Sequence, residues 1–161
     1  MAKELLSYRL LWGFLTREGM RAGEAIALTW ADLDLKRGRV RLDQNKTDDP
    51  RAWVLNAGVF AALKLYRERM RPNAAPGEPV FLDPQGRAHS QFGMAELLRS
   101  HLGTIGLREE RPELFDDTPQ RKRMRVHDLR GTFVIVALAN NRTESWIAGS
   151  STLTSPPSIR A

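Results

Sequence analysis

Apolar residues recur at helical spacing over residues 4–17: Leu5, Leu6, Leu10, Leu11, Phe14 and Leu15, with Arg9 and Arg17 between them. That stripe predicts an amphipathic helix, and Gly19 is placed to stop it. A short helix is expected over Ala22 to Leu28, then a turn at Trp30-Ala31-Asp32-Leu33. The period then changes to two. Val40 and Leu42 alternate with Arg39 and Arg41 after the tight turn Lys36-Arg37-Gly38, and Ala52 to Leu55 reads as the partner strand. Residues 39–55 therefore predict a β-hairpin, with polar residues 44–50 as its turn and Lys46 near its tip.

Helical period returns from Val59 to Met70 through Leu63, Leu65 and Tyr66. Prolines and a glycine make 72–79 a loop. Val80-Phe81-Leu82 is a candidate further strand, closed by Asp83-Pro84-Gln85-Gly86. Ser90 to Leu102 reads as a helix capped by its serine. Residues 108–125 are highly charged, hold Pro112 and Pro119, and are expected to be loop. Val126 to Asn140 reads as a largely buried helix, because it is apolar on several faces. Thr143-Glu144-Ser145-Trp146 resembles the cap of one more helix. From Gly149 to Ala161 no helical period remains, and Pro156-Pro157 blocks one; this stretch is expected to be a disordered tail. The fold class these elements predict is α+β, mainly α, with a small antiparallel sheet.

Composition narrows the chemistry. The 161 residues include 42% hydrophobic positions, enough for a core, and no cysteine. A disulfide framework, a thiolate metal site and a cysteine nucleophile are therefore excluded. No apolar run reaches the roughly 20 residues of a membrane span, and a cytosolic setting fits. The formal charge of +6 points toward polyanions, nucleic acid first.

Four basic residues stand at informative places. Arg21 lies in Gly19-Met20-Arg21-Ala22-Gly23-Glu24, at the start of a short helix. Lys46 lies in Asn45-Lys46-Thr47. His127 and Arg130 lie in His127-Asp128-Leu129-Arg130, one turn apart on one helix face. Each alone also reads as a solvated charge, an edge lysine or a helix cap. Together they suit a phosphate: arginine binds two oxygens bidentately and keeps its charge, and histidine moves protons near neutrality. Arg121-Lys122-Arg123-Met124-Arg125, just ahead of His127, is a candidate DNA-backbone contact through Arg121, Lys122, Arg123 and Arg125. Asp43, Asp48, Asp49, Asp116 and Asp117 read as turn and loop acids, and His89 and His101 lack ligand spacing, so no metal site is predicted. The four tryptophans read as core.

Gly-x-Arg-x-Gly-Glu, a hairpin lysine and His-x-x-Arg, in that order, resemble the catalytic domain of tyrosine recombinases, the phage-integrase family. Leu28-Thr29-Trp30-Ala31-Asp32-Leu33 and Val126-His127-Asp128-Leu129-Arg130-Gly131-Thr132-Phe133 extend the likeness to residues 5–148. The resemblance implies DNA integration or recombination on double-stranded DNA, without metal or other cofactor. A tyrosine attacks the scissile phosphate, a 3′-phosphotyrosyl link forms and the 5′-hydroxyl leaves. Arg21 and Arg130 would hold the non-bridging oxygens, His127 would assist proton transfer and Lys46 would serve the leaving group.

The sequence also departs from the family. The place of its later Gly-His pair falls near Thr152-Leu153, and that of its tyrosine near or past Ala161; Tyr8 and Tyr66 lie in earlier helices. The expectation is an incomplete catalytic domain over 1–148, cut at both ends, with an unrelated tail over 149–161. Such a chain would be inactive alone. The alternatives are a non-catalytic DNA-binding module, a relic, or an enzyme completed by a tyrosine from another recombinase subunit.

Overall fold

The computed structural model describes residues 2–43 and 50–143, with side chains from residue 7 onward. The hairpin turn with Lys46, the Glu144–Trp146 cap and the 149–161 tail lie outside the described residues.

The leucine stripe forms α1 (Ala2–Glu18), and Gly19 ends it at φ +64°. Then come α2 (Ala22–Ala27), a 3-10 turn (Trp30–Asp32), and β1 (Leu33–Asp34), β2 (Arg39–Leu42) and β3 (Arg51–Val54). The three strands form one antiparallel sheet in the order β1-β2-β3, with Val40 opposite Leu33 on one side and Trp53 on the other. The alternation in β2 is real: Val40 and Leu42 are buried while Arg39 and Arg41 face out. The two-residue β1 is too short to leave a period in the sequence.

Next are α3 (Ala57–Met70), α4 (Met94–Thr104), α5 (Leu107–Glu110), a 3-10 turn (Pro112–Leu114) and α6 (His127–Ala139). Asn56 caps α3, its Oδ1 accepting from Gly58 N at 3.0 Å and Val59 N at 3.4 Å. Four expectations change. Residues 80–82 form no strand; Thr29–Pro79 and Leu82–Ala88 are isolated bridges. The fourth helix starts at Met94 rather than Ser90, because Gly93 takes φ +79° and the Ser90 hydroxyl is used on Phe92 N–H instead. The charged 108–125 stretch is not all loop, since α5 and the 3-10 turn reach into it. Finally, α6 is not buried all round: Leu129 and Ala137 are enclosed, but Ile135 is 69% and Leu138 45% exposed.

Helix α1 sits at the centre, packed on α3 and α6. Leu11, Phe14 and Leu15 are fully enclosed with Leu28, Val40, Leu63, Val80, Phe81 and Leu98. The Phe14 and Phe81 rings meet edge-on at 5.2 Å. Three of the tryptophans are structural as expected. Trp30 stacks on Tyr66 with the Arg67 guanidinium over its ring. Trp12 Nε1 donates to His101 Nδ1 at 3.1 Å, and Trp53 Nε1 donates to Glu18 at 2.8 Å. Trp146 lies outside the described residues. No helix among the described residues is long and apolar enough to cross a membrane.

Candidate functional site

Arg21 is the N-cap residue of α2, in extended backbone. Three residues on, Glu24 folds back over it. Arg21 Nη1 donates to Glu24 Oε1 at 3.0 Å, and Arg21 N–H donates to Oε2 at 3.2 Å. A glutamate three positions into a helix is placed for such a return contact. Oε2 also meets Arg51 Nη2 at 2.8 Å, an ion pair from the first residue of β3. The Arg51 N–H groups do not point along that contact, and its Nε and Nη2 are buried without a hydrogen-bonding acceptor among the described residues.

Arg130 enters from the other end of the chain. It lies one turn into α6, and its Nη1 donates to the carbonyl of Gly19. The helix is brought there by Gly19 itself. A Cβ at that position would stand 2.2 Å from the Phe133 ring, so only glycine lets α6 approach this closely, and the positive φ favours glycine too.

The charges of these groups act on one another. Burial lowers the pKa of the Arg130 guanidinium, and the charges of Arg21 and Arg51 lower it further, against an opposing pull from Glu24. It remains a cation at any biological pH. Burial by itself would raise the Glu24 carboxyl. The Arg21 hydrogen bond, the Arg51 charge and the Arg21 N–H outweigh it, and Glu24 titrates below its ordinary value. Two guanidinium groups thus hold one carboxylate, and the Arg130 guanidinium lies within electrostatic range of all three. Side-chain exposure differs: 42% for Arg21, 16% for Arg51 and 9% for Glu24.

The structure thus brings Arg21 and Arg130 together across 109 positions of sequence. His127, the first residue of α6, is exposed and one turn from Arg130. Lys46 is outside the described residues, between β2 and β3 in the sequence. The sequence reading missed Arg51, because its contact with Glu24 is tertiary and leaves no local pattern. It quoted Glu24 without a role, although the Arg-x-x-Glu spacing at a helix start carried the signal.

Arg121, Lys122, Arg123 and Arg125 are all exposed. Two of these side chains form ion pairs: Lys122 Nζ lies 3.5 Å from Asp117 Oδ2, and Arg125 Nη2 lies 3.1 Å from Asp128 Oδ1. The segment is anchored from below. Arg99, on α4 and buried, donates to the Met124 carbonyl at 2.6 Å. His89 and His101, distant in sequence from Tyr8, both pack on its ring, at 5.3 and 4.9 Å. No group of side chains suited to hold a metal ion occurs among the described residues.

Helices around a small antiparallel sheet, with two distant arginine motifs brought close beside Gly19 and Glu24, define an α+β domain with a cationic cluster. The sequence profile of the phage integrase family matches residues 2–144, and the chain belongs to that family. Among curated proteins, none matches the chain significantly. Among solved structures it is similar to the XerA recombinase, with a TM-score of 0.66 and 19% identity over 91% of this chain and 53% of that one. It is similar to the XerH site-specific recombinase bound to difH substrate in a pre-cleavage complex, at TM-score 0.65 and 24% identity, covering 94% of this chain and 40% of that one. The Tn1549 transposon integrase in complex with circular intermediate DNA matches at TM-score 0.64 and 17% identity, over 89% and 48%. The chain spans about half the length of the structures it matches. These likenesses establish the fold.

Proposed function

We propose that this domain grips and polarises a DNA phosphodiester in integrase-type recombination. The observation that carries the reading is the meeting of Arg21 and Arg51 on Glu24, with the Arg130 guanidinium within electrostatic range of all three. Three cations against one anion leave positive charge at a partly enclosed place, where it acts more strongly than in water. Arg21 and Arg130 would take the non-bridging oxygens. His127 would exchange a proton from the exposed start of α6. Lys46 takes the 5′-hydroxyl on the strength of the family resemblance. The exposed run Arg121–Arg125 would lie along neighbouring phosphates.

A nucleophile is a separate matter. Tyr8 and Tyr66 are the chain's only tyrosines. Tyr8 packs on Trp12, His89 and His101, and Tyr66 on Trp30. Both rings are thus engaged in packing within the domain.

The test is duplex binding across a salt series. Arg21→Ala and Arg130→Ala should each weaken binding alike on all sequences and reduce the magnitude of the salt slope by about one. Variants that melt like the wild type and bind with its affinity and slope would end the proposal.

A further inference from the structure

Arg51 is less exposed than Arg21, yet it makes the shorter contact with Glu24. The two oxygens of Glu24 are divided. Oε1 takes the Arg21 guanidinium; Oε2 takes the Arg21 backbone N–H and the charge of Arg51. A carboxylate beside a single arginine closes on it with both oxygens and cancels its charge. Here the second oxygen is drawn to Arg51 instead. Arg21 keeps one terminal nitrogen on Glu24 and leaves 42% of its side chain exposed, while Arg51 is too enclosed to serve an outside anion.

We propose that Arg51 is a positioning residue of the phosphate site: it neutralises Glu24 from within, so that the charges of Arg21 and Arg130 remain available to a phosphodiester. This rests on the phosphate-grip reading above. On this account Arg51 touches no phosphate. Without it, the Glu24 charge falls wholly on Arg21 and, at longer range, on Arg130, whose guanidinium already feels both Glu24 and Arg51.

The prediction is a charge rescue. Arg51→Met should weaken duplex binding on the order of tenfold and flatten the salt slope, as if one phosphate contact were lost. Adding Glu24→Gln should restore affinity to within about threefold of wild type, because Gln still offers one oxygen to Arg21 Nη1 and no longer opposes it. A role confined to holding the fold would lower the melting temperature of Arg51→Met and leave the affinity and salt slope of the folded variant unchanged. Arg51→Met leaves a buried carboxylate short of a partner, so the double variant, which removes both charges, is measured in parallel and is expected to fold. If Arg51→Met melts below the assay temperature, the double variant against wild type decides alone. A folded double variant that binds on the order of tenfold more weakly would overturn the proposal, since Arg51 would then be contacting DNA itself. A folded Arg51→Met that binds like wild type would overturn it too. Failure of the underlying reading looks different: Arg21→Ala and Arg130→Ala would bind as wild type does.

Discussion

Glu24 and Glu18 show how one side chain type is shifted in opposite directions by its neighbours. Glu24 is surrounded by guanidinium groups and titrates low. Glu18 is enclosed among neutral donors: Trp53 Nε1 and Asn56 N–H bond to its two oxygens at 2.8 and 2.9 Å. Burial outweighs those bonds and the Arg17 charge, and its pKa rises from 4.5 to about 6. A raised acid pKa means the folded state holds the proton more tightly. The stability this supplies is full below pH 4.5 and is lost as pH climbs through about 6. The amount is on the order of 2 kcal/mol. Urea denaturation at a series of pH values should show wild type losing this stability over that window and Glu18→Gln keeping its own level; parallel curves would contradict the assignment. Gly19 is the second residue on which much depends. Gly19→Ala must bear both a left-handed backbone and a methyl against Phe133, so a loss of about 3 kcal/mol is expected in thermal denaturation. A loss below about 1 kcal/mol would show that α6 can move aside.

At the scale of elements, α6 carries the clearest difference between sequence and structure. Its run of apolar residues from Phe133 to Leu138 is read as buried on several faces, because periodicity cannot tell a covered face from an uncovered one. The structure encloses the stripe through Leu129 and Ala137 and leaves Ile135, Val136 and Leu138 outside. Leu129→Ala should therefore cost about 2 to 5 kcal/mol, whereas Ile135→Gln should stay within about 0.5 kcal/mol of wild type. Equal losses in denaturant melts would show that a further element covers the outer face. Other elements were legible because their signals are local. The leucine spacing gave α1, the alternation of Val40 and Leu42 gave β2, and Gly19 marked the helix end. What stayed hidden was set by contacts between distant positions: the two-residue β1, the left-handed Gly93 that delays α4, and the Glu24–Arg51 pair.

The whole molecule joins the two motifs that the sequence keeps far apart. Helix α1 packs on both α3 and α6; the turn after α1 carries Arg21, and α6 brings Arg130 onto the Gly19 carbonyl two residues before it. The sheet contributes Arg51 from a third direction. Arg21, His127 and Arg130 stand out as candidates from their motifs, and Glu24 from its spacing to Arg21, but the second cation on that carboxylate, Arg51, required the fold. The central claim is that this cluster, rather than the exposed basic run, receives a phosphodiester. Side-chain NMR of nitrogen-labelled arginines, titrated with a short duplex, tests it most directly. The Nε resonances of Arg21 and Arg130 should move first and saturate together. Movement confined to Arg121, Arg123 and Arg125, with Arg21 and Arg130 unchanged, would contradict it.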